Sequence, residues 1–143
     1  MSDPSPAAQQ AAIDHAIRLA MELRQRAYSP YSGFRVGAVI VSVDGTRFGG
    51  CNVENSSFSL TNCAERVAIQ TAVAAGTTQF SHLVLCSDGG VAPCGACLQV
   101  LAEFAPELDL ILVDATHPKN RRSVNLRELL PAPFSGRSLP EVR

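Results

Sequence analysis

Three cysteines constrain this chain more than any other feature. Cys63 stands near the start of the run Leu60-Thr-Asn-Cys-Ala-Glu-Arg-Val-Ala-Ile-Gln-Thr-Ala-Val-Ala-Ala-Gly76, and Cys94 and Cys97 share Pro93-Cys-Gly-Ala-Cys97. The first run carries apolar Val67, Ile69, Ala72 and Val73 and a closing Gly76, so it reads as a helix over about 62–75. The second opens a helix that runs to about Phe104, with Pro93 expected at the first helical position. Between them, His82 to Cys86 (HLVLC) reads as a short buried strand. Two helices that follow strands of one sheet can bring their N-termini together at one edge. Both dipoles then favour thiolates over thiols there.

The rest of the chain fits such a sheet. Ile13, Ala16, Ile17, Ala20, Leu23 and Ala27 recur at helical spacing and predict an amphipathic helix over about 8–27. Pro30 and Gly33 break it. Val36 to Val43 is rich in β-branched residues, and Asp44-Gly45 signals a hairpin turn, with the return strand running to about Asn55. Leu108 to Val113 predicts another strand. ATHPKNRRS reads as a turn region with solvated basic residues, and Val124 with its neighbours as a last strand before a short LRELL helix. Residues 1–6 are expected to be loose, and the proline-rich tail 131–143 irregular. The order predicts one domain over 1–143, an α/β protein built as a three-layer α/β/α sandwich around a mixed sheet of about five strands.

Composition narrows the partners. A net charge of −1 on 143 residues offers no basic surface for nucleic acid or anionic membrane. The start MSDPSPAAQQ lacks the basic and apolar regions of a secretory signal, and no apolar run approaches a membrane span of about eighteen residues. The expectation is a soluble, cytoplasmic protein. Its five cysteines then fit metal binding or buried thiols better than a disulfide framework.

The motif Cys94-x-x-Cys97 by itself admits zinc ligation, a redox pair or chance. Residues at i and i+3 share a helix face, so both sulfurs can converge on one ion. Cys63 by itself is a small buried apolar residue or a third ligand, and Glu65 either closes a capping box on Asn62 or stands beside the metal. Together they favour catalysis. Three thiolates leave a tetrahedral zinc one position short, which a catalytic site keeps for water and whose pKa the ion lowers toward about 7. A fourth cysteine, Cys51 or Cys86, would instead close a structural zinc module. Both of these also read as core.

Cys-Ala-Glu followed by Pro-Cys-Gly-Ala-Cys closely resembles the zinc deaminase signature. Within the cytidine and deoxycytidylate deaminase superfamily the chain is similar to small cytidine deaminases of the homotetrameric type. The similarity extends through YSPYSGFRVGA (28–38), CNVENSSF (51–58), TNCAERVAI (61–69), PCGACLQVLAEF (93–104) and ELLPAPF (128–134). It implies Cys63, Cys94 and Cys97 as ligands of one zinc ion and Glu65 as the proton shuttle in hydrolytic deamination of cytidine and 2'-deoxycytidine, in pyrimidine salvage. A related aminopyrimidine is the alternative substrate.

The resemblance also implies that Asn52 and Glu54 bind the sugar hydroxyls and that Phe34 lies near the pyrimidine. The backbone at Ala64 and Ser87 would contact the base, Phe134 would reach a neighbouring subunit's site, and Arg66 would temper the thiolate charge. Leu98 departs from the family's usual Arg, and Phe58 from its frequent Tyr.

Overall fold

Ser5 begins the ordered architecture. In the computed structural model, which describes residues 2–140, its hydroxyl accepts the Ala8 amide at 3.2 Å and caps helix α1, Pro6–Gln25, with Pro6 in the first turn. The stretch expected to be loose therefore already holds a helix start at its end. Strands β1 (Gly37–Ser42) and β2 (Arg47–Cys51) form the hairpin at Asp44-Gly45, and Gly45 takes φ 87°. Helix α2 is Ala64–Ala74, β3 is Phe80–Ser87, α3 is Gly95–Phe104, β4 is Asp109–Asp114, β5 is Arg121–Asn125 and α4 is Leu126–Leu129.

The five strands form one sheet in the order β2-β1-β3-β4-β5. β3 and β4 are parallel and the other neighbours antiparallel, which is the expected mixed sheet. A parallel pair needs a crossover, and α3 supplies it. Side chains alternate along each strand, so two cores form. Ala38, Ile40, Leu83, Leu85, Leu110 and Leu112 pack with Ala64, Ala68, Ile69 and Leu101 from α2 and α3. Val39, Val41, Val84, Cys86, Ile111 and Val113 pack under Ala16, Ile17 and Ala20 of α1. One helix covers one face and the remaining helices the other: an α/β/α sandwich.

Several boundaries differ from expectation for local reasons. β2 ends at Cys51, not near Asn55, because the Asn52 side chain turns to the 34–36 backbone and Val53 bridges Tyr28 and Asn62 outside the sheet. Arg121, Arg122 and Ser123, read as loop and turn, belong to β5, an edge strand whose exposed charges deter further pairing. The proline-rich tail contains a short 3-10 turn, Gly136–Ser138. The expected LRELL helix starts with a true capping box, Asn125 accepting from Arg127 and Glu128 reaching the Asn125 amide.

Two glycines set how closely helices approach the sheet. A Cβ on Gly37 would lie 1.9 Å from the Ala20 carbonyl oxygen, and one on Gly50 would lie 2.5 Å from the Ala68 amide and 2.6 Å from the Ala64 oxygen. The start of α2 thus rests directly on β2. Gly50→Ala is expected to push α2 away and to lower stability by about 1–3 kcal/mol, as overpacking of a filled core does, and urea denaturation against the parent chain measures it.

Candidate metal centre and active site

α2 ends at Ala74 and a short connection leads to β3 at Phe80, so the beginning of α2 lies at the C-terminal end of β3, where α3 also begins. Cys63 and Cys94 are the N-cap residues of these two helices, both in extended conformation, and neither sulfur caps its own helix. Pro93 therefore precedes the cap and does not occupy the first helical position. The capping box weighed as the alternative role of Glu65 does not form: Cys63, not Asn62, is the N-cap, and Asn62 Nδ2 donates to Gln70 Oε1 at 3.0 Å. Both cysteine side chains are free to turn outward, and Cys97 joins them one turn into α3.

The Sγ atoms of Cys63, Cys94 and Cys97 all lie within 4.8 Å of one another, with Cys94 and Cys97 at 3.5 Å. A tetrahedral zinc with bonds of about 2.3 Å holds its sulfurs about 3.8 Å apart, so the triangle fits the ion. Among the described residues no fourth His, Cys, Asp or Glu joins this group. Cys86 is buried beneath α1 on the opposite face of the sheet. Cys51 alternates with Gly50, which faces α2, and so also points toward the α1 side. Burial raises the thiol pKa of both. The structural-module alternative loses its fourth ligand.

The three thiols are not equivalent. Hydrogen bonding from Cys97, helped by Arg66, pulls Cys63 down to about 5, while Cys97 is pushed up as the proton's holder. The Arg66 Nη2 lies 3.3 Å from Cys63 Sγ and 3.5 Å from the Thr61 carbonyl, and the thiolate holds its guanidinium above the usual range. Its Nε is buried with no partner among the described residues. Metal binding to this set must release protons.

Glu65 is 5% exposed, the one buried residue of a charged type among the described residues. Burial first, and the Cys63 charge after it, raise its carboxyl to about 6. Its neighbour Ala64 is fully buried at the helix start, where the first amides have no intrahelical partner.

Asn52, Glu54 and Phe34 cluster on the adjoining loop, where the first two side chains hydrogen-bond the chain itself. Asn52 is buried, its Oδ1 accepting the Val36 amide at 2.8 Å and its Nδ2 donating to the Phe34 carbonyl at 2.7 Å. Glu54 Oε1 accepts the Tyr31 and Ser32 amides, and Oε2 accepts the Ser32 hydroxyl at 2.6 Å. The Ser32 bond, followed by the backbone amides, lowers its pKa. These two side chains lie outside β2 and brace the segment that carries Phe34.

Ser32 escaped the sequence reading, although its place beside Gly33 in a turn is a signal for backbone bonding. The Ser87 carbonyl accepts the Gly90 and Ala115 amides, which fixes the backbone expected to contact the base. Leu98 is buried in the core with α2, and Phe58 packs edge-on against Tyr31 at 5.6 Å. Phe134 is not brought to the cysteines. It is 63% exposed beside a cavity at the opposite end of α3, and Gln99 holds its carbonyl.

Residues 10–111 match the family model for the cytidine and deoxycytidylate deaminase zinc-binding region. A cytidine deaminase of Halalkalibacterium halodurans is 38% identical over 86% of this chain and 94% of its own. One from Sporosarcina psychrophila is 49% identical over 64% of this chain and 69% of its own. The crystal structure of the cytidine deaminase from Burkholderia pseudomallei superposes with a TM-score of 0.79 at 42% identity, covering 85% of this chain and 98% of that one.

The raised Glu65 pKa has a direct consequence for the metal-free protein. A carboxyl whose pKa rises on folding adds stability below its unfolded value near 4.5 and loses it as pH climbs through about 6. Glu65→Gln, always neutral, is expected to stabilise the metal-free chain above pH 6 by up to about 2 kcal/mol. The gain should vanish below pH 4.5, as denaturation series at both ends of the range would record.

Proposed function

The chain belongs to the cytidine and deoxycytidylate deaminase family, and from that premise we propose that it deaminates cytidine and 2'-deoxycytidine to the uridine products, releasing ammonia. The observation that carries this is Glu65, buried beside a triangle of three sulfurs that no fourth ligand among the described residues joins. Cys63, Cys94 and Cys97 hold one zinc ion, which when bound supplies water activated for attack near neutral pH.

Glu65 takes a proton from the attacking water and delivers it to ring nitrogen N3 as the new C4–O bond forms. C4 becomes tetrahedral. Glu65 then carries the hydroxyl proton to the amino group, the C4–N bond breaks, and ammonia leaves as the C4 carbonyl forms. The balance is one water in, one ammonia out. Arg66, touching Cys63, offsets the negative charge that three thiolates bring and so keeps the metal an effective acid.

Phe34 covers the pyrimidine, and the amide of Ala64 at the helix start addresses its polar edge. Asn52 has one amide hydrogen left after bonding Phe34, and Glu54 Oε2 has acceptor capacity beyond Ser32. These remaining sites suit the sugar hydroxyls. A bare nucleoside therefore fits better than a base without sugar, and the chain's charge of −1 offers no groove for a polynucleotide.

The active unit in this reading is one domain over 1–143 that assembles as a homotetramer in the cytoplasm and serves pyrimidine salvage. No helix among the described residues is long and apolar enough to cross a membrane. Tyr28, Tyr31, Phe34, Phe58 and Leu60 are exposed on the single chain around the site, and such a surface suits burial by a neighbour. Phe134, remote from its own cysteines, completes a site on another subunit.

Replacement Glu65→Ala is expected to keep one zinc per chain while kcat falls by at least the 10²–10⁴-fold typical of lost proton transfer, or roughly two decades or more. Loss of the cytidine absorbance band, beside metal analysis, reads both, and full activity in that variant refutes the reading. Mixing Glu65→Ala with Phe134→Ala chains should restore part of the activity that each lacks, because some sites then combine an intact Glu65 with an intact neighbouring Phe134. Mixed tetramers no more active than the better parent would refute the shared site.

A further inference from the structure

We infer that Arg24 is a positioning residue for substrate binding, a clamp that fixes the loop carrying Phe34 against the loop leading into Cys94. It lies in the last turn of α1, on the face of the sheet away from the cysteines. Its guanidinium nevertheless spans two segments that frame the site. Nε donates to the Arg35 carbonyl at 3.2 Å, and Nη2 donates to Asp88 Oδ1 at 2.6 Å. The inference rests on the binding role given above to Phe34.

Three features make this a clamp. Its base is fixed, because a Cβ on Gly37 would stand 2.6 Å from the Arg24 amide, so α1 is pressed onto the start of β1 at this residue. Its first target is the carbonyl next to the one Asn52 holds, so Phe34 and Arg35 are tied at successive peptide units from two directions. Its second target follows buried Ser87 at the end of β3 and precedes Gly89 and Gly90, whose φ values of 78° and 57° turn the chain toward Cys94. Asp114 holds the far side of that turn through the Gly89 amide at 3.2 Å.

The side chain of Arg24 is 18% exposed and that of Asp88 49%. A half-exposed pair adds little to global stability, so what it contributes is the spacing of two loops. Only a planar fork reaches both acceptors together, whereas an ammonium is a single point of charge. Loosening the clamp lets Phe34 drift from the ring in ground state and transition state alike. That removes uniform binding, which raises KM and leaves kcat.

The test uses the zinc-loaded full chain with Arg24→Met, Arg24→Lys and Asp88→Asn. Arg24→Met is expected to raise KM for cytidine about tenfold while kcat stays within about threefold, with Lys intermediate, as loss of uniform binding dictates. Zinc content should stay at one per chain, and amide hydrogen exchange should quicken at 34–36 and 89–92. Unchanged KM and unchanged exchange in Arg24→Met and Asp88→Asn overturn the clamp. So does a lower melting temperature with no change in KM. Should Arg24→Met fail to fold, Asp88→Asn, altered at the more exposed partner, decides alone through a KM rise of about threefold or its absence. If the parent chain turns over no nucleoside, the functional reading falls, and hydrogen exchange still judges the clamp.

Discussion

The meeting of two helix starts at one end of β3 is the constraint from which the rest follows. α2 arrives there because the connection to β3 is short, and α3 because it leaves β3 directly. Each offers a cysteine as its N-cap, and in each the sulfur turns away from the helix it begins. A Ser or Asp in those places would hydrogen-bond its own first turn. Thiols cap weakly and so leave the helix amides to the site. The loss of two good caps is tolerable because α2 is pressed on β2 at Gly50 and α3 is rooted in the core through Leu98 and Leu101.

That arrangement concentrates charge where the protein can least dissipate it. Glu65 and Cys97 are buried, Cys63 is half-buried and Cys94 exposed, and among the described residues Arg66 is the cation that touches a sulfur there. Without metal the proton distribution is a compromise: Cys63 gives its proton up, Cys97 keeps one, and Glu65 is pulled toward neutrality. Groups in such tension are poor elements of stability, since an unpaired buried charge costs several kcal/mol or about that order. A divalent cation relieves the tension at once. The site is thus a place where stability has been given up for readiness to bind a metal.

The sheet and its layers were legible because their signals are periodic. β-branched Val36 to Val43, the Asp44-Gly45 turn and HLVLC each name a strand whatever packs on it. The ends were harder, since they depend on bonds between distant residues. β2 stops at Cys51 because Asn52 prefers the backbone of residues 34–36, a partner sixteen and more positions away that no local pattern announces. Arg121 and Arg122 looked like a loop because charges usually mark one, yet an edge strand tolerates them on both faces. The meeting of the three sulfurs was legible through the same local logic: C-x-x-C is a helix-face motif, and Cys63 with Glu65 needed only the second motif to gain meaning.

Asn52 and Glu54 show why a site cannot be divided cleanly into scaffold and chemistry. Periodicity placed them on one strand as a matched pair, but the chain leaves the sheet at that point and each side chain works as a brace for residues 31–36. Being braced would suit them to the sugar contacts proposed for them. A carboxamide with one free hydrogen and a carboxylate with one free lobe have fixed directions, so a sugar that meets them loses freedom without ordering the protein as well. Had these residues been the exposed polar pair that an edge strand ordinarily carries, they would have had to give up side-chain entropy on binding. The bonds that make them look structural would therefore let them, in the proposed reading, select a ligand by geometry.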